Sequence, residues 1–449
     1  MNKRQFNRSL AGMGLLASWG LAPWGSARSQ APGTPGTPGT PGAPGPQHAS
    51  ANLSNAHVVV VGAGFAGCSA AKQLRRLSKG TLRVTLIEPE AHFLMLALSN
   101  LVLGGSESYA HFRQALAPFV KAHGIDWIQD RAVGLDTQKR VVKLAQSSSV
   151  TYDKLVLCPG IELNLGAIEG LSDAKAAAQI VQAWGNDSEL PVLKRQLEDM
   201  PNGGTFAICI PESPYKCPPG PYERASQVAH YLLNHKPDSR VLVLDANSDV
   251  MSNSTLFKRH WAEHYPRTLE YRTDHLVSAV NGHTLTLSFE VQDDLQVQVA
   301  NVLPPMRAQS IARASGMANV NDKWCEVNFL DFESRLQPHV HILGDAIQGA
   351  SLMPKSGHMA QAQGLVLARA LVATLSQKEV DTHPRLSNFC YSFLDDRLAL
   401  HLESLHDYDP AAKTYQLVPG SNKPSPPPST EQAQAAWQWA AQMWQDLLT

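Results

Sequence analysis

The run 57-HVVVVGAGFAGCSAAKQL-74 restricts the fold of this chain more than any other stretch. It reads as an apolar, β-branched strand, a tight glycine turn, and a helix with apolar periodicity. Gly62, Gly64 and Gly67 each have a task in such a turn. The first makes the bend, the second lets the main chain approach a pyrophosphate, and the third lets helix and strand pack closely. Phosphates then lie at the helix N-terminus, with Phe65 and Ala66 in the same loop. A second strand, 82-LRVTLIE-88, ends in Glu88, whose carboxylate is placed to accept hydrogen bonds from ribose hydroxyls. The expectation is a parallel βαβ unit that binds an adenine dinucleotide.

A second stretch decides between NAD and FAD. In 339-HVHILGDAIQGASLMPKSGHMAQAQGLVLARALVATL-375 a strand ends in Gly344-Asp345, and a long Ala/Leu helix starts near Ser356 and Gly357. An aspartate at such a strand end suits a ribityl chain. The positive end of the helix, with Lys355 beside it, suits the anionic reduced flavin. The pair favours FAD.

Between these stretches the chain repeats strand, crossover helix and strand, from 203-GGTFAICI-210 to 240-RVLVLDA-246, with Asp245 placed as Glu88 is in the first unit. The glycine turn, however, is replaced by 211-PESPYKCPPGPYERA-225, with five prolines and one glycine. Proline has no N–H to offer a phosphate and fixes φ near −65°, so the turn lacks the amide cradle a pyrophosphate needs. Electrons are therefore not expected to enter from NAD(P)H. The loop carries Cys217, followed by Glu223 and Arg224. Of the six cysteines, Cys68, Cys158, Cys209 and Cys325 sit in apolar or helical contexts that suit buried inert thiols. Cys217 and Cys390 sit in loop-like surroundings. As a pair they serve either as a redox disulfide over a flavin or as a structural staple closing a loop of about 173 residues.

Thirty-eight basic residues against thirty-nine acidic ones leave no field to attract nucleic acid or an anionic membrane. Residues 1–30 read as an export signal, with Lys3-Arg4 and Arg8 before an apolar run, similar to a twin-basic Tat leader and pointing to the periplasm. Residues 31–55 form a Pro/Gly spacer. No later segment reads as membrane-spanning, and His339 and His341 lack a third ligand nearby, so no metal is assigned.

The chain closely resembles the flavoprotein subunits of flavocytochrome c sulfide dehydrogenases. The resemblance is carried by GAGFAG, 98-LSNLVLGG-105, 159-PGIEL-163, 196-QLEDM-200, CPPGPYERASQVAHYLLNHKP, 303-LPPMRA-308, GDA with 353-MPKSG-357, and FCYS. It implies an α/β architecture of two doubly wound, Rossmann-like domains of glutathione-reductase type plus a C-terminal interface domain. The expected bounds are 56–185 with 300–376 for FAD, 186–299 for the nucleotide-like domain, and 377–449 for the interface. It implies that Cys217 and Cys390 form the redox disulfide, with Glu223 and Lys355 assisting. It further implies that Pro159, Gly160 and Trp439 join Gly62, Gly64, Phe65, Ala66, Gly67, Glu88, Gly344, Asp345, Lys355, Ser356 and Gly357 around FAD. The partner implied is a c-type cytochrome subunit bearing the haem, since this chain has no Cys-x-x-Cys-His sequence. Leu96 stands where relatives carry a flavin-linking cysteine, so the FAD is expected to be non-covalent. A sulfide:quinone oxidoreductase-like enzyme and a non-catalytic exported flavoprotein are the alternatives.

Overall fold

The computed structural model describes residues 53–185 and 189–449. The expected export signal and nearly all of the spacer lie outside the described residues. The first sheet draws, in chain order, on strand β1 (His57–Val61), which leads into helix α1 (Phe65–Leu77), and then on β2 (Arg83–Ile87), β3 (Asp126–Ile128) and β4 (Lys154–Leu157). Val58, Val59 and Val60 are wholly buried, as in a parallel strand covered on both faces.

The second sheet follows: β5 (Thr205–Ile210), helix α2 (Gly220–His235), β6 (Arg240–Asp245), β7 (Leu269–Arg272) and β8 (Val299–Val302). All its pairings are parallel, in the order β7-β6-β5-β8. The chain then returns to the first sheet through β9 (Val340–Ile342), which pairs with β4 and completes the order β9-β4-β1-β2-β3. Two boundaries differ from the sequence expectation. The strand β8 at residues 299–302 belongs to the second sheet, so the return to the first unit begins after residue 302. Ile168, Leu171, Ala176 and Ile180 join a core with Val277, Val280, Leu287 and Phe289 on the second sheet's side, so that sheet recruits chain from before residue 185.

Helix α3 (Gly357–Leu375) crosses α1 closely, and small residues make this possible. A Cβ on Gly364 would stand 2.8 Å from both the Ala66 carbonyl oxygen and the Ser69 side chain, and Ser69 Oγ donates to the Gln361 carbonyl at 2.7 Å. Three antiparallel strands close the body: β10 (Arg385–Phe393), β11 (Ala399–Asp409) and β12 (Thr414–Leu417). Helix α4 (Thr430–Leu448) packs on that sheet and on α1, where Lys72 Nζ donates to the carbonyls of Gln445 and Asp446. Among the described residues no helix is long and apolar enough to cross a membrane.

Candidate flavin and dithiol site

The glycine turn has the sterics its sequence requires. Gly62 has φ +96°, and a Cβ there would lie 2.4 Å from the Cys158 carbonyl oxygen. A Cβ on Gly67 would sit 1.8 Å from the Gly62 oxygen, so any side chain at either position breaks the turn. Gly64 has nothing within 4 Å of its missing Cβ, and neither does Gly160, so the backbone at both positions borders open space. Glu88 Oε2 accepts the Ala63 N–H at 2.7 Å and Oε1 the Glu90 N–H at 2.9 Å. Burial raises its proton affinity, and those two N–H groups oppose the rise.

At the other end of the site, Ser356 caps α3. Its Oγ accepts the Met359 N–H at 3.1 Å and donates to Asn388 Oδ1 at 2.5 Å. A Cβ on Gly357 would fall 2.9 Å from the Phe65 ring, so this ring is wedged between the first turns of α1 and α3. Ala66 is buried against Gly344 and α3 and does not face the open side of the turn. Lys355 is disposed differently from the sequence expectation. Its ammonium donates to the Asp345 and Ile347 carbonyls, at 2.8 and 2.7 Å, and lies 3.7 Å from the centre of the Trp324 ring. Burial brings its pKa down to about 8. It braces the Asp345 loop, whose Gly344 N–H donates to Gln363 Oε1 at 2.8 Å.

The proline loop approaches this end from the second sheet. Cys217 adopts φ +57°, a left-handed conformation that costs a residue with a Cβ. Two main-chain bonds hold it there: its N–H donates to the Lys355 carbonyl at 2.8 Å, and its own carbonyl accepts the Gly220 N–H at 2.9 Å. Cys390 lies on β10, a strand where a loop was expected, and its thiol faces Ser356 and Asn388. Both thiols are free in the structure. Burial pushes Cys217 well above the usual thiol range, with Cys390 and Glu223 adding to the rise. Burial likewise pushes Cys390 to about 12, against the Ser356 and Asn388 hydrogen bonds. Each thiol is therefore within electrostatic reach of Glu223, and Cys217 within reach of Cys390.

Glu223 is buried in the first turn of α2. Oε1 accepts the Phe393 N–H at 2.9 Å and Oε2 accepts Asn100 Nδ2–H at 2.8 Å. Burial raises its pKa to about 7 despite those donors and the neighbouring Arg224. Arg224 is tied to Asn301, Asn100 and the Gln182 and Ala183 carbonyls, with its guanidinium 4.6 Å from the Trp184 ring centre. Sequence reasoning passed over Asn100, Asn388 and Trp184. Only the motif 98-LSNLVLGG-105 signalled the first.

Asp245 is differently engaged from Glu88. It is fully buried and accepts hydroxyl hydrogens from Tyr222 (2.7 Å) and Tyr271 (2.9 Å), plus the Asn247 N–H and side-chain amide. Trp439 lines a cavity of about 560 Å³ with His358, Asn388, Phe389, Glu403 and Lys423. Buried Asn388 Nδ2 and Trp439 Nε1 have no partner among the described residues.

Three family models match this chain, two of them specific: the flavocytochrome c sulfide dehydrogenase flavoprotein chain, central part, over residues 191–304, and the flavocytochrome c sulphide dehydrogenase flavin-binding part over 382–448. The third, pyridine nucleotide-disulphide oxidoreductase, covers 56–195. The sulfide dehydrogenase flavoprotein chain of Chlorobaculum thiosulfatiphilum is 51% identical over 45 residues, which are 92% of that relative and 10% of this chain. This chain belongs to the flavocytochrome c sulfide dehydrogenase flavoprotein family. Mouse mitochondrial sulfide:quinone oxidoreductase is 22% identical over 299 residues, 64% of this chain, and the match spans 65% of the mouse protein. The solved sulfide:quinone oxidoreductase of Aquifex aeolicus superposes with a TM-score of 0.71 at 17% identity, covering 87% of this chain and 91% of that one, so the two share a fold.

The family matches indicate FAD, and the residues fit it. The open backbone at Gly64 leaves room for a pyrophosphate, and the unpartnered Asn388 amide beside capped α3 offers a donor to an acceptor-rich ring. Among the described residues, no group of three His, Cys, Asp or Glu side chains is arranged to hold a metal.

Proposed function

We propose that this chain is the FAD-bearing subunit of a periplasmic sulfide dehydrogenase that oxidises sulfide to sulfane sulfur and passes the electrons to a c-type cytochrome subunit carrying the haem. The observation that carries this reading is the convergence of Cys217 and Cys390, from different elements, on the buried carboxyl of Glu223. In the oxidised enzyme the two sulfurs form a disulfide. Hydrosulfide attacks it, so that one S–S bond breaks, a persulfide forms on one cysteine, and the other leaves as a thiolate. A second hydrosulfide removes the outer sulfur as a hydrodisulfide anion and leaves a thiol beside the thiolate. Glu223, poised near neutral pH, accepts the thiol proton as the pair closes again. The Gly62–Gly67 turn, Glu88 and the Asp345–Gly357 segment would hold FAD, which when bound would supply a two-electron sink for that closure. Asp245, saturated by tyrosines, and the proline turn together favour entry of electrons from sulfur rather than from NAD(P)H.

Anaerobic titration with sulfide tests the reading. The yellow flavin absorbance is expected to bleach in the wild type and to persist in Cys217→Ser, and cytochrome c is expected to restore it in the wild type. Unchanged absorbance in the wild type would instead leave an exported flavoprotein with no sulfide activity. A quinone acceptor is the second reading, favoured by the 560 Å³ cavity with its Phe389 and Trp439 walls. Faster reoxidation by a soluble quinone than by cytochrome c would select it. With Leu96 in place of a linking cysteine, heat denaturation should release the flavin into the supernatant.

A further inference from the structure

Asn100, in the turn before the short helix Leu101–Gly104, is buried, and the orientation of its amide is fixed. Oδ1 accepts Arg224 Nε–H at 3.1 Å, so Nδ2 faces Glu223 Oε2 at 2.8 Å and the Gly220 carbonyl at 3.3 Å. The reversed amide would set NH₂ against a guanidinium and oxygen against a carboxylate. Glu223 in turn joins the two cysteine-bearing segments. Its Oε1 accepts the N–H of Phe393, three residues beyond Cys390, and its own N–H donates to the Pro219 carbonyl at 3.0 Å, in the loop that presents Cys217.

We infer that Asn100 is a positioning residue that pins Glu223 between the two cysteine segments and, by donating to Oε2, sets how readily that carboxylate takes a proton. The inference deepens the function proposed above and depends on it only for the kinetic consequence. The charged and titratable groups facing Glu223 are Arg224 on its own helix, Cys217 in the loop and Cys390 on β10. The Leu98–Gly104 segment contributes none, so its hold on the carboxyl is a hydrogen bond. A donor to the ionised form favours that form, and its loss raises proton affinity.

The test uses the full flavin-loaded chain. Infrared difference spectra between about pH 5 and about pH 9 follow the protonated Glu223 carboxyl, assigned by its disappearance in Glu223→Gln. In Asn100→Ala the midpoint is expected to rise by about one pH unit, a tenfold gain in proton affinity. Asn100→Asp, which keeps the side-chain volume and the Arg224 contact, is expected to shift it at least as far. Sulfide-driven bleaching in Asn100→Ala should slow about tenfold at about pH 6 and be unchanged at about pH 9. An unmoved infrared midpoint in both variants, or equal slowing at every pH, would overturn the inference. If sulfide fails to bleach the wild type, the functional reading falls while the infrared midpoint still decides the role of Asn100.

Discussion

Gly220 is the one glycine in a turn otherwise stiffened by proline, and its reason is steric. A Cβ there would stand 2.7 Å from the Trp184 ring and 2.9 Å from Cys217 Sγ, so the ring and the thiol sit where a side chain would go. Gly220→Ala is expected to cost about 1–3 kcal/mol of stability through overpacking, seen as a lowered melting temperature, and to displace the thiol. Bleaching by sulfide should slow along with it, while flavin content stays near normal. The carboxyl of Glu223 gives a second prediction. Because burial raises it to about 7, the native protein keeps a proton that the unfolded chain releases at ordinary carboxylate pH. Its contribution to stability therefore falls as pH rises from about 4.5 to about 7, on the order of 1–3 kcal/mol. Chemical denaturation across that window should show the fall in the wild type and a flatter profile in Glu223→Gln. The family resemblance implied roles for Cys217 and Glu223, and their place in or beside the proline loop was readable from the sequence. Asn100, Asn388 and Trp184 were not, because single polar or aromatic side chains give no sign of their partners until folding brings distant segments together.

At the scale of elements, periodicity told most where it was strongest. The β1–α1–β2 unit follows from a valine run, a glycine turn and an apolar helical spacing, and its register, Val58 with Val84 through Val61 with Ile87, sets Glu88 under the turn. The strand β10 was misread as a loop, since 387-SNFCYSF-393 mixes polar and aromatic residues. The structure explains the mixture. Asn388 and Cys390 face Ser356, while Phe389 and Tyr391 face His401 and, for Tyr391, Trp439. Both faces are used, so the alternation is between polar and aromatic residues and not between apolar and solvated ones. The boundary at residue 300 failed for a related reason: β8 is buried at every position, so it has no alternation of faces to mark which sheet it joins. Ser356 links two of these elements by capping α3 and reaching Asn388 on β10. Ser356→Ala should cost about 1–2 kcal/mol from the lost cap and leave Asn388 Oδ1 without that donor. Thermal melting measures the first effect, and the flavin-to-protein absorbance ratio after gel filtration is expected to fall.

Three parts of the molecule meet at the site: the first sheet's α3 segment lends the Lys355 carbonyl, the second sheet lends the proline loop, and the closing antiparallel sheet lends Cys390. A disulfide between Cys217 and Cys390 would therefore lock two of these parts through a point fixed on the third. It would close a loop of about 170 residues and stabilise by about 5 kcal/mol if restriction of the unfolded chain dominates. A bond used in turnover must also open easily, so its closure cannot stabilise the fold by the whole of that figure. The observed gain from oxidation is then expected to fall well short of the chain-entropy figure. Melting curves of the oxidised protein and of the same protein in dithiothreitol measure that gain directly. A rise of only a few degrees on oxidation, absent in Cys217→Ser and in Cys390→Ser, is the result expected of a working redox pair. A rise matching the full loop-closure figure would identify a structural staple, and identical curves in the wild type would mean that the two sulfurs do not bond.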